Sequence, residues 1–207
     1  MISSLETTAA MPLSGLVIAG GRSSRMGTDK ALLIVEGQTL VQRVVSALRT
    51  LCDEVIVVTN SPDTAAATDA PTVRDLIPQQ GPLSGIHAGL STMRNEHGFF
   101  VACDMPWLNL EFIKYLVGLV DGFDVIVPRL DGRCETLHAV YGKPCLAPIE
   151  AALREQRRRV TAFYEAVRVR YVERDECERF DRALQMFANV NTPEEFEQQC
   201  STATSTT

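Results

Sequence analysis

Short, continuous apolar runs alternate with helical patterns along this chain, and this alternation restricts its fold more than any other feature. The run Gly15–Ala19 ends abruptly at Gly20, and the run Glu54–Thr59 ends at Asn60. Such runs are typical of strands that are buried on both faces. Between them, apolar residues recur with helical spacing over Leu40–Leu51, which predicts an amphipathic helix.

The same alternation continues along the chain. Further strands are predicted at Thr72–Asp75, Phe99–Cys103, Asp124–Val127 and Leu137–Tyr141, and further helices at Ile86–Met93 and Leu110–Val120. The pattern predicts an α/β fold with a single doubly wound, mostly parallel sheet and helices on both faces. In such sheets, ligands bind beyond the carboxyl ends of the strands, where the strand order reverses.

Length and composition predict one domain. The chain has 207 residues, of which 45% are hydrophobic and 22% are charged, as in ordinary globular proteins. We expect a flexible leader over residues 1–12 with Met11 as a second candidate start, a globular domain over 13–199 and a disordered tail over 200–207. No apolar run approaches a membrane span and the start does not resemble a signal peptide, so we expect a cytoplasmic protein.

Charge and cysteine usage exclude further classes of protein. The net charge of -6 argues against nucleic-acid binding, which normally needs a basic face. The six cysteines are scattered without a C-x-x-C pair, so they are predicted to be reduced thiols, mostly buried. We expect neither a nucleic acid nor a membrane as partner, and a monomer by default.

The loop after the first predicted strand combines glycines with cations. Glycines 20 and 21 let the backbone turn sharply and approach a ligand, and Arg22, Arg25 and Lys30 follow. Guanidinium and ammonium groups on such a loop are suited to a triphosphate. The spacing fits neither G-x-x-x-x-G-K-[ST] nor G-x-G-x-x-G, and a flexible surface loop with solvated charges is the alternative. We favour phosphate binding.

Asp104 ends the predicted strand Phe99–Cys103 and precedes Met105-Pro106. A carboxylate facing a triphosphate suits Mg²⁺, which takes few protein oxygens and completes its shell with phosphate and water. The alternative is a turn or helix-cap role, which is common before proline. The residues leave both open, and the basic loop favours Mg²⁺. Asn60 and Asp75 also follow strands, where they could contact a ligand, and a solvated turn residue is the alternative for Asp75.

The segment Gly15–Leu32 resembles the signature of the molybdenum cofactor guanylyltransferases and, more loosely, cytidylyltransferases and sugar-nucleotide pyrophosphorylases of the same fold. The resemblance continues through Gly81–Gly85, Cys103–Pro106 and Asn189–Glu194, and so covers nearly the whole chain. It implies a nucleotide-diphospho-sugar transferase-like, Rossmann-like fold. The implied reaction is transfer of GMP from GTP to the phosphate of molybdopterin, with Mg²⁺ and release of pyrophosphate.

The resemblance also implies roles for individual residues. Arg25, Lys30 and Asp104 are the expected catalytic residues, and Asp104 is the expected metal ligand. The expected nucleotide-binding residues are Ile18, Ala19, Gly20, Gly21, Lys30, Asn60, Asp75, Gly81 and Asp104. Neither a protein nucleophile nor a general base is needed, because a phosphate acceptor is already ionised near neutral pH. The histidines are therefore assigned no role.

The acceptor side is implied by the resemblance at Arg159, Asn189 and Asn191. Two departures bear on it: Gln156 stands where relatives have glycine before an arginine pair, and Thr136 where they favour proline before leucine. A charged helix face is the alternative for Arg157–Arg159. Thr192 and Pro193 are predicted to start a helix, with Glu195 completing a capping box.

Two other functions stay open at this point. A cytidylyltransferase acting on molybdopterin or a sugar-alcohol phosphate would share the loop and Asp104 and differ in base selection. A non-catalytic nucleotide sensor would keep the fold and lose the chemistry, yet Lys30 and Asp104 are both retained. Transient contact with proteins that supply molybdopterin or mature molybdoenzymes is a further expectation of the resemblance.

Overall fold

The computed structural model describes residues 12–20, 29–77 and 81–204, with side chains through Cys200. Its strands are β1 (Ser14–Ile18), β2 (Ile34–Val35), β3 (Gln38–Thr39), β4 (Glu54–Val58), β5 (Thr72–Val73), β6 (His97–Ala102), β7 (Val125–Leu130), β8 (Arg133–Cys134), β9 (His138–Gly142) and β10 (Val169–Glu173). Its α-helices are α1 (Leu40–Leu48), α2 (Pro62–Ala66), α3 (Pro82–Thr92), α4 (Leu110–Val117), α5 (Leu146–Arg154), α6 (Arg174–Glu178) and α7 (Pro193–Thr204). Short 3-10 helices cover Lys30–Leu32, Lys143–Cys145, Val160–Ala166 and Gln185–Phe187.

The central sheet has the strand order β10-β7-β9-β6-β1-β4-β5, with β8 added beside β7. β1 pairs in parallel with β4 on one side and β6 on the other, so that Ile18 lies opposite Val58 and Ala102. β9 runs antiparallel to both of its neighbours. The prediction of a doubly wound, mostly parallel sheet is confirmed.

Both faces of the sheet are buried, which explains the continuous apolar strands. Leu16 and Ile18 of β1 pack into a cluster with α3 and α5, whereas Val17 packs on the opposite face with α1 and α4. Side chains alternate between the two faces of a strand, so a strand covered on both sides needs apolar residues at successive positions. Because neither face of β1 is polar, its sequence does not alternate between apolar and polar residues.

The helices begin and end at identifiable signals. Thr39 and Gln42 form a capping box at the start of α1. The predicted helix over Leu40–Leu51 ends earlier, at Leu48, because its last apolar residues lie in the following turn, where Leu51 still packs on the core. Conversely, α3 begins four residues before its predicted start, because Gly81 and Pro82 form the turn into it.

The C-terminal helix is packed onto the domain by a third apolar cluster of Val35, Leu40, Val190 and Phe196. The indole of Trp107 stacks on the ring of Phe196 with centroids 4.5 Å apart. We predicted a disordered tail from residue 200, whereas α7 extends through Thr204. Cys200 packs against the same cluster, which gives the end of the helix an apolar anchor.

The described residues contain no helix with the length and apolar content that crossing a membrane requires. The six cysteines all lie within the described residues and form no disulfide: Cys103, Cys145 and Cys177 are buried and the other three are half-buried. Burial raises the pKa of the Cys145 and Cys177 thiols to about 12, which keeps them protonated and unreactive at neutral pH.

Candidate active site

The topology brings several strand ends to one edge of the sheet. From β1 the chain moves outward to β4 and β5, and then returns to β6 on the other side of β1. The order therefore reverses at β1, and in open α/β sheets ligands bind beyond the carboxyl end of the strand at such a point. Ile18 ends β1, Asn60 follows β4, Asp75 follows β5 and Asp104 follows β6. The predicted positions of Asn60, Asp75 and Asp104 just after strands of the sheet are confirmed.

Lys30, Asp104 and Asn191 form a polar cluster at this edge, which we call the Lys30 cluster. The Lys30 ammonium Nζ lies 3.3 Å from the Asp104 carboxylate Oδ2 and also donates a hydrogen bond to Oδ1 of Asn191. The side chains of Lys30 and Asp104 are 38% and 19% exposed. The cluster therefore presents a cation and a carboxylate to a ligand arriving from solvent.

The backbone of Lys30 is fixed by Asp29 and Thr64. The Asp29 carboxylate accepts the Ala31 N–H at 3.1 Å and so caps the short helix that carries Lys30. Its other oxygen accepts the hydroxyl of Thr64, a buried residue of α2. Neither residue was predicted from the sequence to belong to the site. A helix-capping aspartate before Lys30 was a readable signal, but nothing in the sequence paired it with Thr64.

The segment Asn189–Asn191, near the C-terminal end of the chain, contacts the Lys30 cluster. The Val190 N–H donates to the Asp104 carbonyl at 2.8 Å, and the Val190 side chain is fully buried. Asn189 and Asn191 are exposed on either side of it, which is the alternation of an extended chain. This confirms that the two asparagines share an exposed face.

Glu195 makes a contact that the capping-box prediction did not contain. The Glu195 N–H donates to the Thr192 hydroxyl at 3.1 Å, so Thr192 caps α7 as predicted. The Glu195 carboxylate, however, accepts two bonds from Asn191, one from the backbone N–H at 2.7 Å and one from the side-chain Nδ2 at 3.0 Å. These bonds to Asn191 lower the pKa of the Glu195 carboxyl.

Asn60 and Asp75 form a second polar feature, which we call the Asn60–Asp75 pair. The Asn60 Nδ2 donates to the Asp75 carboxylate at 2.8 Å, and the Asp75 N–H donates to the Asn60 side-chain oxygen at 3.1 Å. These reciprocal bonds join the ends of β4 and β5. The side chain of Asp75 is thereby held beside the carboxyl ends of these two strands.

The glycines of the site serve different purposes. Gly20 is exposed after β1, and an added Cβ there would meet nothing within 4 Å. Gly81 has φ 72° and ψ -158° at the turn into α3, a backbone region that is essentially restricted to glycine. An added Cβ at Gly85 would meet Ile18 at 3.3 Å, so Gly85 allows close packing of α3 on β1.

The remaining predicted residues are placed as follows. Ile18 and Ala19 are buried at the end of β1, where the Ile18 carbonyl accepts the Cys103 N–H at 3.1 Å. Arg159 is exposed and directly precedes the 3-10 helix Val160–Ala166. Gly21 and Arg25, together with the neighbouring Arg22, lie outside the described residues.

His138 lies on β9 in contact with the ring of Phe187, and no role is predicted for it from the sequence. Its ring is fully buried, and neither ring nitrogen has a hydrogen-bond partner within the part of the chain that the structure describes. The rings of Phe99 and Phe187 surround it, with centroids 5.0 and 4.9 Å away. Burial lowers the pKa of His138 to about 3, so the ring is neutral at pH 7.

Comparisons with known proteins agree with this arrangement. Residues 15–170 match the family model described as the MobA-like NTP transferase domain. A molybdenum cofactor guanylyltransferase from Desulfosudis oleivorans is 37% identical over 187 residues, which are 89% of this chain and 93% of that protein.

Two solved structures share the fold. Molybdopterin-guanine dinucleotide biosynthesis protein A from Archaeoglobus fulgidus superimposes with a TM-score of 0.78 at 26% identity, over 91% of this chain and 99% of that one. Rv0371c from Mycobacterium tuberculosis, solved in complex with manganese, reaches a TM-score of 0.59 at 14% identity, over 92% and 98% of the two chains. The chain belongs to the MobA-like NTP transferase family, and within it to the family of the molybdenum cofactor guanylyltransferases.

Proposed function

We propose that this protein transfers GMP from GTP to the terminal phosphate of molybdopterin and releases pyrophosphate. The observation that carries the proposal is the Lys30 cluster: an ammonium and a carboxylate, 3.3 Å apart, at the strand ends where the sheet order reverses. An oxygen of the acceptor phosphate attacks the α-phosphorus of GTP, and the bond to the β-phosphate oxygen breaks. Such a reaction needs positioning and charge stabilisation rather than a protein nucleophile.

Within this proposal, Lys30 counters the charge that develops on the leaving pyrophosphate, and Arg25, five positions earlier in the chain, assists it. An ammonium fixed before the reaction stabilises this charge without having to reorganise. Ile18, Ala19, Gly20 and Gly21 line the nucleotide where β1 ends.

Base selection is proposed to lie at the Asn60–Asp75 pair. Guanine presents N1–H and a 2-amino group, which are both donors, so a carboxylate is a suitable partner. Asp75 has one oxygen bound to Asn60 and retains further acceptor capacity. Gly81 lets the backbone approach the base at the start of α3.

We further propose that Asp104 holds a divalent cation, Mg²⁺, together with the phosphates of the nucleotide. Among the described residues no group of three or more His, Cys, Asp or Glu side chains is arranged to hold a metal. A single accessible carboxylate fits an ion that takes most of its oxygens from phosphate and water. When bound, Mg²⁺ would neutralise phosphate charge.

Arg159, Asn189 and Asn191 are the proposed acceptor contacts. Arg159 and Asn189 are exposed and carry groups that can donate to an anionic phosphate or to the pterin. Asn191 is already engaged by Lys30 and Glu195, so its contribution is the least direct of the three.

The test is a turnover assay with purified protein, molybdopterin, Mg²⁺ and α-labelled GTP, with CTP and ATP run in parallel. The expected product is a guanine dinucleotide, formed with one pyrophosphate per turnover. Transfer from CTP instead of GTP would identify a cytidylyltransferase. Nucleotide binding without transfer to the acceptor would favour the sensor, and omission of Mg²⁺ tests the cation.

A further inference from the structure

Glu195 lies in the first turn of α7, and its carboxylate turns back onto Asn191. An amide side chain has one acceptor oxygen and one donor NH₂ group. The carboxylate of Glu195 can only accept and the ammonium of Lys30 can only donate. The Asn191 amide therefore has a single orientation that satisfies both, with NH₂ toward Glu195 and oxygen toward Lys30.

A hydrogen bond from the Asn191 backbone further restricts the orientation of its side chain. The same Glu195 oxygen, Oε2, accepts the Asn191 N–H at 2.7 Å and the side-chain Nδ2 at 3.0 Å. The main chain and side chain of Asn191 are thus tied to one atom. Neighbouring Val190 is held by its hydrogen bond to the Asp104 carbonyl.

A lysine side chain needs such external support. It is a point charge on a flexible four-carbon stem, and the Asp29 cap fixes only the backbone near it. The Asn191 oxygen gives the ammonium a second anchor beside the Asp104 carboxylate. The position of the charge therefore depends on the orientation of an amide that belongs to the far end of the chain.

We propose that Glu195 is a positioning residue, which orients the Asn191 amide so that its oxygen holds the Lys30 ammonium beside Asp104. The consequence for catalysis rests on the proposed function, in which that ammonium counters the charge on pyrophosphate. Two experiments separate the geometry from its catalytic effect.

The first experiment observes the Asn191 side-chain amide by NMR in isotopically labelled protein. In the wild type its two N–H protons should give signals that are shifted from those of a free amide and that exchange slowly with water. Glu195→Ala should move both signals toward the chemical shifts of a free amide and speed their exchange with water, whereas Glu195→Gln should preserve them because glutamine keeps an acceptor oxygen at the same reach. Glu194→Ala is the matched control, since it removes a carboxylate from the same helical turn. Unchanged Asn191 signals in Glu195→Ala would overturn the proposal.

The second experiment measures kcat for dinucleotide formation in a double-mutant cycle. Glu195→Ala should lower kcat about tenfold, the effect of losing a hydrogen bond that a charged group makes. Glu195→Gln should restore most of the rate, and Glu194→Ala should keep the wild-type rate. In an Asn191→Ala background, Glu195→Ala should cause no further loss, because the two residues act through one contact.

Two independent losses that multiply would mean that Glu195 acts apart from Asn191, and would overturn the proposal. The thermal unfolding temperature of each variant shows whether the substitution has instead destabilised α7 as a whole. If the wild type forms no dinucleotide, the proposed function fails, while the NMR comparison still decides whether Glu195 orients Asn191.

Discussion

The Asn60–Asp75 pair and the Lys30 cluster lie at the same edge of the sheet but are built in different ways. The pair joins the ends of two adjacent parallel strands that are close in the chain, and its two hydrogen bonds are reciprocal. The Lys30 cluster combines the short 3-10 helix Lys30–Leu32, the end of β6 and the segment before α7. One is a local product of the strand–helix repeat, and the other requires the whole chain to be folded.

The difference indicates how each region responds to change. The pair can be altered without disturbing distant parts of the chain, because its partners come from neighbouring strands. The Lys30 cluster rests on several supports, namely Asp29 with Thr64, the Asp104 carbonyl, and Glu195. We therefore expect substitutions at the Asn60–Asp75 pair to change GTP selectivity by small factors, and substitutions at the Lys30 cluster to change kcat by large ones.

The largest effect is expected at Asp104. Asp104→Ala should lower kcat by about 10³-fold, because it removes the proposed cation ligand and the partner of the Lys30 ammonium. Steady-state kinetics at several Mg²⁺ concentrations measure this loss. Asp121→Ala is the control, since Asp121 lies at the other end of the sheet, before β7. Near-normal turnover of Asp104→Ala would refute the proposed role of the cluster.

The next largest effect is expected at His138, and it is a dependence of the free energy of unfolding on pH. Burial lowers the pKa of His138 to about 3 in the folded protein, below its value of about 6.5 in an unfolded chain. The unfolded state then binds more protons over this window, so stability falls as the pH is lowered from 6.5 toward 3. From pH 7 to pH 4.5, the wild type should lose about 3 kcal/mol more than His138→Leu.

Urea unfolding at the two pH values measures this difference. His97→Gln is the comparison variant, because burial also lowers the pKa of His97, although that ring is less buried. The ring of His138 contacts the ring of Phe187, which lies two positions before Asn189 in the chain. As the pH falls, the segment that carries Asn191 should therefore become mobile before the Asn60–Asp75 pair does. Equal pH slopes for the wild type and His138→Leu would contradict the prediction.

An intermediate effect, on the free energy of unfolding, is expected at Gly81, which the proposed function places with the Asn60–Asp75 pair at the guanine base. Its φ of 72° and ψ of -158° are strained for any residue with a Cβ, so Gly81→Ala should lower the free energy of unfolding by about 2 kcal/mol. Gly118→Ala is the control, because Gly118 has helical angles. Chemical denaturation measures both variants, and an equal effect of the two would show that backbone strain at Gly81 is unimportant.

The smallest effect is expected for Asp75→Asn. Asparagine keeps an oxygen for Asn60 but replaces the other oxygen by a donor, which opposes the donor edge of guanine. The Kd for GTP should rise about tenfold, with little change for CTP, as measured by calorimetric titration. Asp69→Asn, on the loop before β5, serves as the control. An unchanged preference for GTP would remove base selection from the Asn60–Asp75 pair.

Much of this structure followed from local pattern. The alternation of apolar runs with helices predicted the strands around Leu16, Val57 and Phe100, because a strand covered on both faces must be apolar at successive positions. The same logic placed Asn60, Asp75 and Asp104 at one edge, since parallel strands share their carboxyl ends. Helix ends were less predictable, because apolar residues such as Leu51 pack equally well from a turn.

The sequence by itself determined the fold class, the polar strand ends and the cap formed by Thr192, all of which depend on residues near one another in the chain. Only the tertiary structure decided that Asn191 binds Lys30, that Thr64 holds Asp29, and that His138 is buried with no hydrogen-bond partner among the described residues. The physical reason is distance along the chain: Lys30 and Asn191 are separated by 161 positions. Which side chains meet at such separations is set by the packing of whole helices and sheets, and Phe196 with its apolar neighbours brings α7 to the site.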